Sequence, residues 1–324
     1  MFNTSSISGI TLESAGLVAL ADLSTVAVRT ALTGTASYLD VLVLVPGMHQ
    51  QQSAVKINDG ELPDTGSMTN GYVFRVENPA TVSYLRHIGR TGKLVTAEVS
   101  LKPTRNFNPF PNRFCDFDIS PHDNPFFVSG IRATLLYLTC PILTIIVFAL
   151  LSAIRDWAAV AVLGMLVLAR FINDRWVRLT GLVDHLKTVT AGHWLRDQTS
   201  EESFAVGFAT LLVYASAALA GNASTVGSLH IACLLLCSAA LLSLCNSSTE
   251  CLQMFGCVVR RKGDCKDYAR RLDMVKDLVR ESRRGDWALA MGLIKRDEAD
   301  AELKFADETK GSNISGDGTA NLDP

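Results

Sequence analysis

The stretch Thr134-Leu-Leu-Tyr-Leu-Thr-Cys-Pro-Ile-Leu-Thr-Ile-Ile-Val-Phe-Ala-Leu-Leu-Ser-Ala-Ile154 decides the fold class of this chain. It contains 21 residues without a charged side chain, and Arg132 and Arg155 flank it. A helix of about 20 apolar residues crosses the ~30 Å of hydrocarbon in a bilayer. Pro141 predicts a kink rather than a break, because neighbouring helices and hydroxyl groups can satisfy the freed backbone groups. The stretch therefore predicts a transmembrane helix.

Three more apolar runs follow it, namely Trp157–Ala169, which extends to Ile172, then Phe204–Ala220 and Val226–Cys245. The last two contain no Asp, Glu, Lys or Arg, and the short connection between them predicts a hairpin. The first of the three is short, since its 16 residues span roughly 24 Å. Arg170 within it can extend its charged group to the membrane boundary. These runs predict transmembrane helices 1 and 2 in residues 131–172 and transmembrane helices 3 and 4 in residues 204–245.

The composition agrees with a membrane core that carries polar appendages. Apolar residues make up 48% of the 324 residues, and charged residues make up 19%, against about 25% in a typical soluble chain. The formal net charge of −2 gives no argument for a nucleic-acid partner. We therefore predict an α-helical integral membrane protein with about four transmembrane helices, a small N-terminal cytosolic α/β domain and a helical C-terminal tail.

Residues 1–130 are predicted to form the soluble α/β domain. Ser14–Leu32 has the pattern of an amphipathic helix, and the prolines between Pro103 and Pro125 predict an extended connector to the membrane. Alternating or continuously apolar runs bounded by turn residues predict strands. The predicted strands are Asp40–Pro46, Tyr72–Val76 and Lys93–Leu101.

Two further segments flank the last hairpin. Residues 173–203 are predicted to lie in the membrane surface as an amphipathic helix, because apolar residues recur at helical spacing between Arg175 and Lys187. A cytosolic helix packed on the N-terminal domain is the alternative. Residues 246–310 predict a cytosolic helical tail, and residues 311–324 have the composition of a disordered end.

The distribution of basic residues predicts the orientation. With four crossings, one side of the membrane carries nine Lys and Arg residues near the bilayer, whereas the other carries Arg155 alone. The nine are Arg113, Arg132, Arg170, Arg175, Arg178, Lys187, Arg260, Arg261 and Lys262. Cytosolic loops carry the excess of positive charge, so both termini are predicted to be cytosolic. The organelle stays open.

His230 is the histidine that falls inside a predicted transmembrane helix. Ionisable groups within a membrane mark proton relays and ligand contacts, so His230 is a candidate for either role. The alternative is an interfacial or helix-bonding histidine, because His230 stands about one turn from the predicted boundary.

Asp116, Asp118 and His122 form an acidic cluster in the predicted connector. Carboxylate and imidazole groups can hold a divalent cation, so the three residues are a candidate metal or catalytic site. A solvated loop is the alternative interpretation. We predict no cofactor, and the chain contains none of the common nucleotide-binding or hydrolase motifs.

Cys251 and Cys257 stand between the last predicted helix and the basic group Arg260, Arg261 and Lys262. Cysteines in this position are candidates for S-palmitoylation, with inert thiols as the alternative. The basic group can attract anionic lipid or can serve only to set the orientation. The spacing of Cys251, Cys257 and Cys265 disfavours a zinc site.

Tyr268-Ala-Arg-Arg-Leu-Asp-Met-Val-Lys-Asp-Leu-Val279 and Gly285-Asp-Trp-Ala-Leu-Ala-Met-Gly-Leu293 resemble the cytosolic tail of uncharacterised fungal multi-pass membrane proteins. The resemblance covers only this part of the chain. It implies a fungal endomembrane protein that serves a biosynthetic pathway, and it transfers no catalytic residue.

Three functions remain as hypotheses. The first is a non-enzymatic scaffold, tether or accessory subunit whose partners are the lipid bilayer and a protein bound through the cytosolic regions. The second is a small transporter or channel, because Pro141, His230 and the hydroxyl groups of the first helix are polar or irregular features in the membrane. The third is a membrane-bound enzyme that uses Asp116, Asp118 and His122.

Overall fold

The computed structural model describes residues 15–34, 37–50, 55–58, 60–101, 130–175, 199–254 and 257–314, and this part of the chain is mostly helical. The helices are α1 (Thr25–Thr33), α2 (Val55–Asn58), α3 (Pro79–Ile88), α4 (Ile131–Ile154), α5 (Trp157–Arg175), α6 (Ser200–Leu219), α7 (Thr225–Ser247), α8 (Arg271–Ser282), α9 (Asp286–Ala290) and α10 (Arg296–Ile314). The strands are β1 (Asp64–Gly66), β2 (Val73–Arg75), β3 (Lys93–Leu94), β4 (Ala97–Leu101), β5 (Cys251–Met254), β6 (Cys257–Arg261) and β7 (Lys266–Asp267). Short 3-10 helices span Ala15–Leu20, Tyr38–Leu42, Met48–Gln50 and Ala220–Asn222.

The described residues fall into two compact units. The first is drawn from Met1–Glu61, Asn78–His87 and Glu98–Arg261. The second is drawn from Leu62–Glu77, Ile88–Ala97 and Lys262–Pro324. Residue 130 is the predicted boundary between the N-terminal domain and the membrane helices, but each unit contains residues from both sides of it. The early part of the N-terminal region packs with the apolar helices rather than with the later strands.

Three helices of the described chain are long and apolar enough to cross a membrane, and they suggest membrane association. They are α4, α7 and α6 extended through its 3-10 turn to Asn222. The shorter apolar helix Trp157–Asn173 lies within α5. Each predicted transmembrane run is therefore helical, as its length and lack of charge indicated.

The four apolar helices surround one core. α4 packs against α7, and α5 packs against α6. Leu151 of α4, Leu163 and Leu166 of α5, Val213 of α6 and Leu235 of α7 are all fully buried there. Burial of large aliphatic side chains from all four helices makes the bundle one packed unit.

The predicted strand Asp40–Pro46 is wrong. Its first residues form the 3-10 helix Tyr38–Leu42, and Val43, Leu44 and Val45 continue without a strand partner among the described residues. These three side chains are buried against the apolar helices. A continuous apolar run indicates burial on all sides, and here helices rather than neighbouring strands supply it.

The predicted helix Ser14–Leu32 is divided in two. The 3-10 helix Ala15–Leu20 packs on α6 and α7, and α1 follows after an irregular link at residues 21–24. Gly34 ends α1 in the left-handed conformation with φ 65°, and its amide donates to the carbonyl oxygen of Thr30. Glycine adopts this conformation without steric cost, which makes it a common helix end.

The chain after α7 begins with strands rather than with the predicted helical tail. β5 and β6 form an antiparallel hairpin in which Cys251 faces Arg260 and Met254 faces Cys257, and β4 pairs with β6 on its other side. Tyr84 of α3 donates from its hydroxyl to the carbonyl oxygen of Glu250 at 3.0 Å. The hairpin therefore belongs to the first unit.

The second unit has its own core. Val275 and Val279 of α8, Trp287 of α9 and Ala299 of α10 are buried together, with Met68 packed against them. The pairs β1–β2 and β3–β7 complete the unit, and both are antiparallel. The predicted strand Tyr72–Val76 is confirmed as β2, whereas the predicted strand Lys93–Leu101 is divided into β3 and β4, which pair with different strands. The part of the predicted helical tail from Arg271 onward is helical in α8, α9 and α10.

Several predicted segments lie outside the described residues. They are most of the proline-rich connector, residues 176–198 of the predicted interfacial segment, and the end of the chain after Ile314.

Candidate functional site

A cluster of polar side chains is buried in the bundle around Asp40. The cluster consists of Arg29, Asp40, Tyr137 and Arg170, and we call it the Asp40 cluster. Their exposed fractions are 9%, 8%, 8% and 2%, respectively. Charged residues are seldom buried unless they have partners, so the contacts of each one decide what the cluster does.

Asp40 is the centre of this cluster. One carboxylate oxygen accepts a hydrogen bond from the hydroxyl group of Tyr137 at 2.9 Å. The other accepts from the backbone amide of Ser37, which closes a capping box at the start of the 3-10 helix Tyr38–Leu42. The backbone carbonyl oxygen of Asp40 accepts from Nε of Arg170 at 3.1 Å. One residue thus connects the N-terminal region to α4 and α5.

Arg29 of α1 adds a second positive charge to the cluster. Its guanidinium carbon lies 5.0 Å from the centre of the Tyr137 ring, a distance at which a cation is attracted to the ring face. One of its terminal nitrogens also donates to the hydroxyl group of Thr249 at 3.4 Å. Arg29 therefore joins α1 to α4 and to the chain just after α7.

Two polar side chains of the apolar helices bind the backbone between Asp40 and Gln50. Thr144 of α4 donates to the carbonyl oxygen of Leu42 at 2.7 Å, and Asn173 of α5 donates to that of Met48 at 3.5 Å. Irregular backbone inside a bundle leaves carbonyl groups that need donors. The helices supply these donors, so the N-terminal segment is an integral part of the bundle.

A second buried carboxylate lies at the opposite end of the helices. Asp156, in the connection between α4 and α5, accepts from the amide of Ala159 at 3.1 Å. It also accepts from the amide and the hydroxyl group of Ser224 at 2.9 and 2.6 Å. Ser224 in turn caps α7 by accepting from the amide of Gly227 at 3.0 Å. We call this set the Asp156 link.

The Asp156 link stabilises the ionised carboxylate. Burial by itself would raise the pKa of Asp156, but the hydrogen bonds from Ser224 and Ala159 outweigh it and lower the pKa below the usual value for aspartate. The charge is therefore present at neutral pH, where it also favours the N-terminal ends of α5 and α7.

His230 lies in the second turn of α7 and is partly buried. Its Nδ1 is 2.7 Å from the carbonyl oxygen of Val226, four residues earlier in the same helix. This bond satisfies one ring nitrogen within its own helix, which agrees with the structural alternative. The roles of proton relay and ligand contact remain predictions.

Asp116, Asp118 and His122 lie outside the described residues, so the metal and catalytic hypotheses for them remain predictions. Within the ranges that the structure describes, no group of three or more His, Cys, Asp and Glu side chains is placed to hold a metal ion.

Cys251 and Cys257 are buried in the β5–β6 hairpin, with 0% and 2% exposure. Burial raises the pKa of both thiols, which lowers the fraction of reactive thiolate. Lipidation at either residue would require the hairpin to open. Arg260 follows them in β6, and the side chains of Arg261 and Lys262 are exposed at its end, where each makes a contact within the chain.

Sequence reasoning missed the Asp40 cluster because it placed Asp40 in a strand of a separate domain. A signal was available in the helices themselves. Tyr137 and Arg170 are polar residues within predicted transmembrane helices, and such residues almost always face a partner inside the bundle. No known protein family, curated protein or solved structure matches this chain.

Proposed function

We propose that this chain is a multi-pass membrane protein that crosses the bilayer four times and acts as a non-enzymatic scaffold, tether or accessory subunit. Exposed apolar side chains on α4, α6 and α7 support the crossing. Ile142 of α4, Leu211 of α6 and Leu236 of α7 are each more than half exposed. Exposed large apolar surface is rare on a soluble monomer, whereas lipid would cover it in a membrane.

The Asp156 link supports a crossing by α5 as well. It joins the α4–α5 connection to the start of α7, so both helix connections lie at the same end of the bundle. Both α4 and α6 run toward this end, and the chain must return between them. α5 is the helix that leaves this end. Its 19 residues extend about 28 Å, of which the part up to Ile172 makes up roughly 24 Å, somewhat less than the hydrocarbon thickness.

The basic residues support the placement of the other end of the bundle in the cytosol. Arg132 precedes the main apolar part of α4, and Arg260, Arg261 and Lys262 follow α7. Arg155 is the only basic residue in the two connections at the Asp156 end. Cytosolic segments carry the excess of Lys and Arg, so the chain that follows α7 is cytosolic in this proposal.

The main support for the scaffold proposal is that buried polar side chains of the bundle bind the backbone of the chain itself. Among the described residues, Asp40, Thr144, Asp156 and Arg170 all bind the backbone of the chain itself. Buried polar side chains that bind the chain's own backbone hold the helices in one arrangement. A membrane anchor requires such a fixed structure. The second unit has a polar surface and a separate core built around Trp287, which makes it the part suited to a protein partner.

Purification in a mild detergent, with mass spectrometry of everything that remains bound, tests the scaffold proposal. We expect a stoichiometric protein partner on the unchanged chain and its loss from Trp287→Ala, which empties the core of the second unit. Trp157→Ala is the matched control, because Trp157 is 69% exposed at the start of α5. A preparation that carries no partner would contradict the proposal.

A small transporter or channel is the second candidate, and the Asp40 cluster favours it. A carboxylate, a phenol and two guanidinium groups lie together inside the bundle, and buried ionisable groups mark ion and proton pathways in membrane proteins. Proton uptake into proteoliposomes, followed with an enclosed pH-sensitive dye, tests it. Uptake that disappears in Asp40→Asn and in His230→Ala would favour transport, whereas no uptake by the unchanged chain would exclude proton transport.

A further inference from the structure

The short segment from Gly16 to Thr25 contacts opposite ends of the α6–α7 hairpin. Gly16 packs at the end of α6, where an added Cβ would lie 2.6 Å from both the carbonyl oxygen of Ala217 and the Cβ of Ala220. Thr25 lies at the end of α7, where its carbonyl oxygen accepts from the side-chain amide of Asn246 at 2.8 Å. The ten residues from Gly16 to Thr25 therefore connect the two ends of the bundle.

Part of the segment is buried between helices, whereas Leu17, Ala21, Asp22 and Leu23 are exposed. Ala19 is buried in the same core as Val213 of α6 and Ile231 of α7, with Val18 and Leu20 packed against it. Irregular backbone at membrane depth is tolerated where protein surrounds it. Asp22 is the one charged residue between Ala15 and Val28, and its side chain is exposed. Asp22 stands three residues before Thr25, so its exposed carboxylate fits a position near the end of the bundle where α1 lies.

We infer that residues 16–25 run through the bundle from one side of the membrane to the other. The chain that precedes Gly16 then emerges at the end marked by the Asp156 link, opposite to the chain that follows α7. This arrangement replaces the prediction that both termini are cytosolic. The inference rests on the proposed membrane crossing. It deepens the tether proposal, because a chain arranged in this way presents segments to partners on both sides of the bilayer.

Cysteine labelling of the full chain in sealed vesicles tests the inference. Three variants carry the reporter: Ser5→Cys before the segment, Gly221→Cys at the α6–α7 connection and Glu250→Cys after α7. An added Cβ at Gly221 meets open space, and Glu250 is exposed. A membrane-impermeant maleimide is added from outside, with and without detergent, and the unchanged chain gives the background from its own cysteines. Asn222→Cys and Ser247→Cys, both at exposed positions, repeat the measurement at the two ends of the hairpin.

We expect Ser5→Cys and Gly221→Cys to be labelled from the same side and Glu250→Cys from the other. If Ser5→Cys and Glu250→Cys are labelled from one side of the membrane and Gly221→Cys from the other, the inference is overturned and the membrane crossing stands. Labelling of Gly221→Cys and Glu250→Cys from the same side would overturn the crossing of α7, and the inference would fail with it.

Discussion

Nε of Arg170 donates a hydrogen bond to the backbone carbonyl oxygen of Asp40 at 3.1 Å, across 130 positions of sequence. Arg170 belongs to the shortest of the four apolar helices, and Asp40 belongs to a region expected to be a separate domain. Their contact places the N-terminal region inside the bundle.

Removal of the Tyr137 hydroxyl group should destabilise the bundle. Tyr137→Phe leaves one oxygen of the buried Asp40 carboxylate without the bond it receives at 2.9 Å. A hydrogen bond to a charged group is worth about 1.5–3 kcal/mol, so the midpoint of thermal unfolding in detergent should fall. Tyr38→Phe is the matched control, because Tyr38 is 96% exposed. Equal midpoints for the two variants would contradict the role given to Tyr137.

The Asp156 link should make stability depend on pH. The pKa of Asp156 is lower in the folded chain than the usual value of about 3.9. A carboxylate with a lowered pKa contributes stability above the unfolded pKa and loses it as the pH falls through the folded pKa. The unchanged chain should therefore lose more stability than Asp156→Asn when it is acidified below about pH 4.

Chemical denaturation in detergent at several pH values measures this difference. Asp264→Asn is the control, because Asp264 is exposed. The same acid dependence in the unchanged chain and in Asp156→Asn would show that the Asp156 link does not contribute.

Gly227 should tolerate no side chain. An added Cβ would fall within van der Waals distance of Asp156 Oδ2 and of the Ala159 Cβ, so Gly227→Ala must displace the Asp156 link. Overpacking of this kind costs about 1–3 kcal/mol. Gly207→Ala in α6 meets open space and should be neutral or stabilising by up to about 1 kcal/mol. Comparison of the two unfolding midpoints in detergent checks this, and a neutral Gly227→Ala would contradict it.

Gly16 should be equally intolerant of a side chain. Gly16→Val would push the 3-10 helix Ala15–Leu20 away from the backbone of α6 at Ala217. We expect faster cleavage of the N-terminal segment by a protease in detergent, with the helices preserved. Gly164→Val in α5, where an added Cβ meets open space, is the control. Equal cleavage rates would show that the segment does not depend on this contact.

The thiols of the β5–β6 hairpin should react slowly. Cys251 and Cys257 are buried and have raised pKa values, whereas Cys265 is partly exposed. A thiol reagent at neutral pH should modify Cys265 before Cys251 and Cys257, and these two thiols should react only after denaturation. Peptide mass spectrometry over time measures the order. Rapid modification of Cys251 in the folded chain would contradict this prediction and support the lipidation hypothesis.

The candidate site could be predicted only in part. His230 was found because a titratable residue stands out in an apolar run, and the structure shows how its ring bonds within the helix. Asp40 and Asp156 were missed because their partners are distant in sequence. Ser224 lies 68 positions from Asp156, and no local pattern reveals such a pair.

The sequence by itself determined the four apolar helices of this protein. A run of apolar residues long enough to cross a bilayer forms a helix whatever its neighbours are, because only a helix satisfies the backbone within the run. Thr134–Ile154 and the three later runs therefore have the predicted structure. The helix α8 within the predicted helical tail and the strand β2 were also foreseeable from local periodicity, whereas β1 was not predicted and Lys93–Leu101 was predicted as one strand rather than as β3 and β4.

Only the tertiary structure decided where residues 15–34 and 37–50 lie. Asp40–Pro46 is apolar enough for a buried strand, and the same composition suits a segment surrounded by helices. The choice depends on which surface covers Val43, Leu44 and Val45, and on which donors reach the nearby backbone. Thr144 and Arg170 provide those donors from α4 and α5, and that arrangement exists only after the helices have packed.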